Sequence, residues 1–392
     1  MQEMNKADSL DFDLAPAFVG STSLAEVANW YDTWLDRAAL PLWQRAAVDQ
    51  KLGGFYEALT SEGIPLEAAH RARVQARQIY VYATAGRRGW PGPWRDVAVR
   101  GLGFFLSRYR RPDGLFRTLV GRSGEVVDDT AMLYDQAFVL LATASLAATD
   151  LATPSLHSVA TALRQALEAS RHPAGGFREN GDQPFQANAH MHLFEGALAW
   201  AEVGGGAPWD TLAGEIADLA MTRFIDVDSG ALREFFDDSW APKPGDDGRL
   251  IEPGHQFEWA WLLERWGRRS GDARACAAAR RLFGAGVRGF DAERGVVVNA
   301  LWDNLETRDR CARLWPQTEY LKASLILQPD VGSDHALQAA AGLRKYLNTP
   351  LTGAWFDTLE ADGTFRQEPA PASSFYHIMA ACEALRVSVA EA

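Results

Sequence analysis

His255 and Glu258 stand three residues apart in EPGHQFEWAW, and His192 and Glu195 repeat that spacing in NAHMHLFEG. Three residues is close to one helical turn, so each imidazole shares a face with a carboxylate if these segments are helical. An imidazole titrates near neutrality and a carboxylate beside it can orient it, which is the equipment of general acid–base proton transfer. His377 in SSFYHIMAACE and His190 in NAHMH stand in similar polar-aromatic settings, and Arg73 and Arg77 lie one turn apart in HRARVQARQIY. Pro253 suits the first turn of a helix, which puts His255 near the positive end of its dipole and favours the neutral imidazole. Glu258 acts in the opposite sense.

A lone helical histidine is more often structural than catalytic. Four of the eight histidines, however, fall where an inner helix would begin, and this favours a functional reading for His255 and His377. The carboxylates then read as groups that orient them. His70, His157, His172 and His335 read as surface or loop residues. Other chemistries lack their motifs. HxxE at 255–258 is not HExxH, no His/Cys cluster has metal-ligand spacing, and GxxxxGK[ST], strand-led GxGxxG and GxSxG are absent. Neither a metal nor a cofactor is expected. Glycoside hydrolysis stays open as a reading from another class, with Asp128 or Asp129 opposed to Glu258 or Glu319.

The elements that must position these residues follow from an internal repeat. A glycine-led segment recurs as GGFYEA, DGLFRTL, GGFREN, SGALREF, RGVVVNA and TGAWFDT. Anchored on Gly54, Gly114, Gly176, Gly230, Gly295 and Gly353, its intervals are 60, 62, 54, 65 and 58 residues. Several copies run into a turn and a second extended piece, the pattern of a small hairpin. Between hairpins, apolar spacing and Gly/Pro breaks predict helices over 24–49, 70–85, 93–109, 128–147, 154–170, 188–203, 208–224, 252–267, 271–287, 317–328, 333–347 and 373–388.

Twelve helices in six pairs point to an all-α (α/α)6 barrel with short β-hairpins at the pocket end, ahead of an open solenoid of helix pairs. The polar-aromatic clusters fall on the even helices, which would form the inner ring. Their N-terminal turns share one end with the hairpins, so six clusters would converge on one pocket. No linker or charge block divides the chain, which reads as one catalytic domain over residues 1–392, with 1–20 as an N-terminal extension.

A formal charge of −12 argues against nucleic acid or an anionic membrane as partner. Three cysteines without paired spacing, no apolar run of membrane-spanning length and no signal-like N-terminus place the chain in the cytoplasm, as monomer or homodimer. The 14 tryptophans read mainly as core, with a few available to stack on sugar faces.

RVQARQIYVYA, HMHLFEGALAW, EPGHQFEWAWLL, RLWPQTEYLKA and the FYH segment, in this order from GGFYEAL to FYHIMAACEAL, resemble the N-acylglucosamine 2-epimerase superfamily. That superfamily includes mannose isomerases, cellobiose 2-epimerases, sulfoquinovose isomerases and phosphomannose-isomerase-like proteins. The resemblance implies an (α/α)6 barrel, no catalytic metal and a small-molecule sugar as substrate. It maps the catalytic histidine pair onto His255 and His377 and a sugar-binding arginine onto Arg77. A third histidine maps onto His192, with His190 as the second match. Glu258, Trp315, Gln317 and Glu319 complete the implied pocket, Glu195 accompanies His192, and Arg249 precedes the PGH motif within reach of a substrate oxygen or phosphate. The FEWAW and WPQTEYLKA segments look more like the isomerase members. The implied reaction is therefore aldose–ketose isomerisation of mannose or a related hexose to fructose through a cis-enediolate. N-acylglucosamine or mannose 2-epimerisation and mannose-6-phosphate isomerisation are the alternatives.

Overall fold

Local chemistry starts the first helix. Ser23 and Glu26 form a capping box, with the Glu26 carboxylate accepting from Ser23 N at 2.7 Å and Ser23 Oγ accepting from Glu26 N at 3.3 Å. In the computed structural model, which describes residues 23–391, helix α1 then runs over Leu24–Trp34, through a π turn at Leu35–Ala39, to Leu40–Ala46. The expected extension, residues 1–20, lies outside the described residues. Eleven further helices follow: α2 (Ala72–Arg87), α3 (Trp94–Tyr109), α4 (Leu133–Ala147), α5 (Pro154–Leu167), α6 (Ala187–Glu202), α7 (Ala207–Leu219), α8 (Pro253–Ser270), α9 (Ala273–Val287), α10 (Leu314–Ile326), α11 (Asp334–Leu347) and α12 (Ser373–Ala390). A one-turn helix, Gln328–Val331, separates α10 from α11.

These match the spans expected from periodicity, with one correction of substance. α4 starts at Leu133 rather than 128, because Val126–Asp128 pairs as a strand with Leu119–Val120. The Leu133 and Tyr134 amides, otherwise orphaned at the helix start, donate instead to the Glu179 carboxylate at 2.6 and 2.9 Å.

Even and odd helices differ in burial as the residue pattern predicts. α6 buries 13 of its 16 residues, whereas α3 buries only six of 16 and keeps a wet face. The even helices touch in cyclic order, α2–α4–α6–α8–α10–α12, and α12 returns to α2. α1 packs on α12, so the two ends of the chain close the ring together. Trp43 seals that seam: its ring stacks on Trp355 at 4.4 Å and 7°, and its Nε1 donates to Gly353 O at 3.1 Å. A ring closed in this way is not an open solenoid.

The hairpin end is zipped by short antiparallel pairs between successive repeats. Arg71 pairs with Leu119, Leu250–Ile251 with Leu301–Trp302, Ala312–Arg313 with Thr358–Leu359, and Ala58–Leu59 with Ala370–Pro371 across the seam.

The repeat has a further physical basis. Gln75, Gln136, Gln256 and Gln317, one on each of four inner helices, clasp the backbone of Phe55, Phe116, Leu232 and Val297. In each case the carboxamide accepts from the N–H at 2.7–2.8 Å and donates to the C=O at 2.8–2.9 Å. The carboxamide thereby satisfies both polar groups of a buried peptide, and such groups cost about 1–3 kcal/mol each when left unpaired. A glycine precedes the clasp where space requires it: a Cβ on Gly54 would fall 2.8 Å from Gln75 Oε1.

Candidate active site

Every inner helix starts at the hairpin end, so the first turns of α2, α6, α8, α10 and α12 deliver their side chains to one place. The PGH sequence opens α8. A Cβ on Gly254 would collide with the Trp315 ring at 2.4 Å, so the glycine lets that ring settle beside His255. Trp315 is close to both histidines, its centroid 4.9 Å from the His255 ring and 5.8 Å from the His377 ring. The sequence assigned Trp315 to the pocket, and the structure sets it beside both rings.

His377 directs Nδ1 to Glu319 Oε1 at 2.9 Å, and the other oxygen of Glu319 accepts from Lys322 Nζ at 2.7 Å. Lys322 is fully buried, and its ammonium stands 4.0 Å from the centroid of the Trp261 ring. Burial holds the His377 pKa well below its usual 6.5, and the Arg77 and Lys322 cations add to that depression. His377 is therefore a neutral imidazole near neutrality, with Nδ1–H donated to Glu319 and Nε2 free to accept a proton.

His255 has the opposite surroundings. Its Nδ1 lies 2.9 Å from Glu234 Oε2 and 3.4 Å from Glu252 Oε2. Burial alone would lower its pKa, but Glu234 and Glu252 together outweigh it and push the value up to about 10. The helix-dipole expectation of a neutral His255 is thus corrected: nearby full charges exceed the partial charge of a helix end.

His192 Nδ1 approaches Glu195 Oε2 at 3.4 Å and Glu258 Oε1 at 3.8 Å. Burial lowers its pKa to about 4 against the pull of Glu195, so it is neutral. Tyr376 OH donates a short hydrogen bond to Glu195 Oε2. Neither oxygen of buried Glu258 has a hydrogen-bond partner, and burial and the charge of Glu319 raise its pKa well above the usual carboxylate value. Arg77 donates to Tyr134 OH at 2.8 Å and Ser373 O at 3.2 Å, with its guanidinium 4.2 Å from the Phe138 centroid and 5.1 Å from that of Tyr376.

Two groups of three residues bring potential metal-ligand atoms within 4.8 Å of one another: His192, Glu195 and Glu258, and Glu258, Glu319 and His377. Either donor set is chemically able to hold a cation. Lys322 already supplies a cation to Glu319, and each histidine points Nδ1 at a carboxylate.

The structure therefore brings together His255, His377, Arg77, His192, Glu195, Glu258, Trp315 and Glu319. Three assigned residues are set apart. Gln317 spends its carboxamide on Val297 and Arg313 O, which makes it a backbone clasp and corrects its assignment to the substrate. His190 is corrected for the same reason. Its Nε2 accepts from Phe177 N at 2.9 Å and its Nδ1 faces Gln186 O at 2.8 Å, so it fills the glutamine's place in the third repeat. Arg249 pairs with Asp303 at 3.1 Å, and its guanidinium lies 4.8 Å from the Trp302 centroid. His70, read as superficial, is buried with Nδ1 3.0 Å from Phe55 O. Asp128 and Asp129 are exposed on a hairpin, where Asp129 pairs with Arg117 at 2.9 Å, far from the role of opposed buried carboxylates.

Sequence reasoning assigned no role to Glu234, Glu252, Lys322, Tyr134 or Tyr376. Glu234 sits in the SGALREF copy of the repeat, and its position there was the one available signal.

A cluster of buried imidazoles, carboxyl groups and an arginine is chemically equipped for proton transfer. Comparison with known proteins gives the family. The chain matches the N-acylglucosamine 2-epimerase (GlcNAc 2-epimerase) family over residues 54–381 and belongs to it. It is an enzyme of the isomerase and epimerase class. It is 48% identical over 363 residues to the mannose-6-phosphate isomerase of Rhizobium meliloti (strain 1021), covering 89% of this chain and 94% of that protein. To the D-mannose isomerase of Thermobifida fusca it is 30% identical over 328 residues, covering 77% and 79% of the two chains. A crystal structure of D-mannose isomerase superposes with a TM-score of 0.83 at 20% identity, covering 94% of this chain and all (100%) of that one, a likeness of fold. No helix among the described residues is long and apolar enough to cross a membrane.

Proposed function

We propose that this chain, as a single (α/α)6-barrel catalytic domain, interconverts D-mannose, or a related hexose, and D-fructose through a cis-enediolate. One observation carries the reading: two buried histidines stand 4.9 and 5.8 Å from one tryptophan ring, each with Nδ1 on a carboxylate, and Lys322 already matches the carboxylate of His377 but not that of His255, which favours His377 as base and His255 as acid. Environments that push two titratable groups apart assign acid and base before any substrate is bound.

In this scheme His255 donates its Nε2 proton to the ring oxygen as the C1–O5 bond breaks and takes back the proton released from the O1 hydroxyl as the aldehyde forms, and later moves a proton from O2 to O1. His377 Nε2 takes the proton from C2, which is acidic because it lies α to the C1 aldehyde, and returns it to C1. Arg77 faces the developing enediolate, and Glu258, whose buried carboxyl oxygens have no hydrogen-bond partner, is placed to bond the substrate's hydroxyls. Returning the proton to C1 gives the ketose; returning it to the opposite face of C2 would give the epimer.

A second reading, isomerisation of mannose 6-phosphate, draws on the relative from Rhizobium meliloti that carries that name. Arg313, about half exposed with its guanidinium 5.8 Å from the Trp315 centroid, is a suitable anion-binding group at the pocket mouth. Incubation with mannose and with mannose 6-phosphate in deuterated water, followed by NMR, tests both readings. Fructose or its phosphate is the expected product, labelled at C1 to the extent that His377 exchanges its proton with solvent before returning it. Glucose labelled at C2 would make the enzyme an epimerase, and neither product nor exchange from either substrate would sink the proposal.

A further inference from the structure

We infer that Glu234 is a positioning residue that keeps His255 doubly protonated and presents its Nε2–H to the pocket, an inference that rests on the acid role proposed above for His255. The argument begins with the repeat. The residue two places beyond the clasped hairpin position is Glu57, Thr118, Glu179, Glu234, Asn299 or Asp357 in the six copies. In three copies this side chain accepts from a backbone N–H at the start of an inner helix. Glu57 accepts from Arg71 N at 2.8 Å, Glu179 from Leu133 N and Tyr134 N, and Asn299 from Arg313 N at 2.9 Å, whereas Asp357 accepts from the Ser374 hydroxyl at 2.7 Å. The three backbone bonds satisfy donors that a helix N-terminus leaves open.

The fourth copy departs from this use. Ahead of the helix that begins on Pro253, the Glu234 carboxyl accepts from no backbone amide among the described residues. Glu234 turns its Oε2 to His255 Nδ1 at 2.9 Å, while its Oε1, also buried, has no hydrogen-bond partner. The repeat's capping carboxylate has been redirected from a backbone amide to an imidazole. At 2% exposure the Glu234 carboxyl needs a partner, and His255 Nδ1, at 2.9 Å, is the one it has.

The other groups facing His255 leave this assignment in place. Glu252 reaches the same Nδ1 at 3.4 Å, and Glu258 lies one turn along α8. His192 on α6 is neutral, and Trp315 on α10 covers the ring. Arg313, ahead of α10, acts on Glu252, while Arg233, next to Glu234, is engaged by Asp226 and Asp303. Of the carboxylates, Glu234 is the closest and raises the His255 pKa most. It makes no claim on the reacting atoms and acts through His255 alone.

Glu234→Gln keeps an acceptor for Nδ1–H and removes the charge. The deciding measurement is an imidazole ¹⁵N NMR titration of His255, assigned with His255→Asn, in wild type and variant. The expected result is a wild-type ring protonated on both nitrogens beyond pH ~9 and a midpoint lower by at least about one unit in Glu234→Gln. The basic limb of kcat/KM with mannose moves down with it, and Glu234→Asp, which restores the charge, brings it back up. An equal midpoint in the two proteins overturns the inference, as does a limb that stays put while the midpoint moves. If Glu234→Gln does not fold, a wild-type midpoint near 6.5 overturns it alone. Wild-type turnover by His255→Asn would instead remove the acid role, and the titration would still decide what Glu234 does to the ring.

Discussion

Two histidines close to the Trp315 ring stand in opposite settings. His255 meets Glu234 and Glu252, whereas His377 shares its surroundings with Arg77 and Lys322, and its carboxylate partner Glu319 is already matched to Lys322. Burial is nearly equal for both rings, at 7% and 5% exposure, so desolvation cannot separate them. Fixed charge does. Each histidine has a carboxylate at Nδ1, and what distinguishes them is whether a cation has claimed that carboxylate first.

The sharpest break of this comparison is to remove either ring. His255→Asn and His377→Asn should each lower kcat on mannose by about 10²–10⁴-fold, with His377→Asn also abolishing exchange of the substrate's C2 proton. Steady-state rates and deuterium exchange measure the two losses separately, and retention of more than about a tenth of wild-type activity in both variants would contradict the assignment.

Next in size is Lys322→Met, which makes the His377 side resemble the His255 side. In wild type, His377 is depressed below 6.5, so its base form persists as pH falls and is lost only below that value; His255 keeps its proton until pH rises through about 10. The wild-type kcat/KM profile should therefore be flat across neutrality. Without Lys322, Glu319 has only His377 to neutralise it, and the acid limb should climb to pH ~6.5 or above. Breaking a buried ion pair should also cost about 3–5 kcal/mol in a denaturant melt. An acid limb unchanged in a folded variant would leave Lys322 a purely structural residue.

The smallest effect on chemistry is expected at the clasp. Gln317→Ala leaves the Val297 peptide unpaired and should lower stability by about 1–3 kcal/mol, with kcat/KM of the folded enzyme within about threefold of wild type. A larger drop in kcat/KM without loss of stability would return Gln317 to the substrate.

Much of this was legible in the sequence. The repeat gave the number of helices, their order and the end at which polar groups gather, because a period of about sixty residues leaves room for two helices and a hairpin and little else. His192 and His190 mark where legibility stops. They stand two residues apart on α6, in the same motif, yet one joins the carboxylate cluster and the other clasps Phe177 N. Two residues is about 200° around a helix, so adjacent positions in a motif belong to different neighbourhoods. The lost start of α4 has a related cause: DDTAM carries helix-compatible residues, but strand pairing to Leu119 and the Glu179 cap decide it from outside.

By itself the sequence determined that six helix pairs would place histidines, an arginine and carboxylates at one end of one body, since periodicity and side-chain type are local properties. Only the tertiary structure decided the charge state of each histidine. That depends on Coulomb interactions over a few ångströms between residues far apart in the chain, His255 with Glu234 and His377 with Glu319, inside a region too dry to screen them.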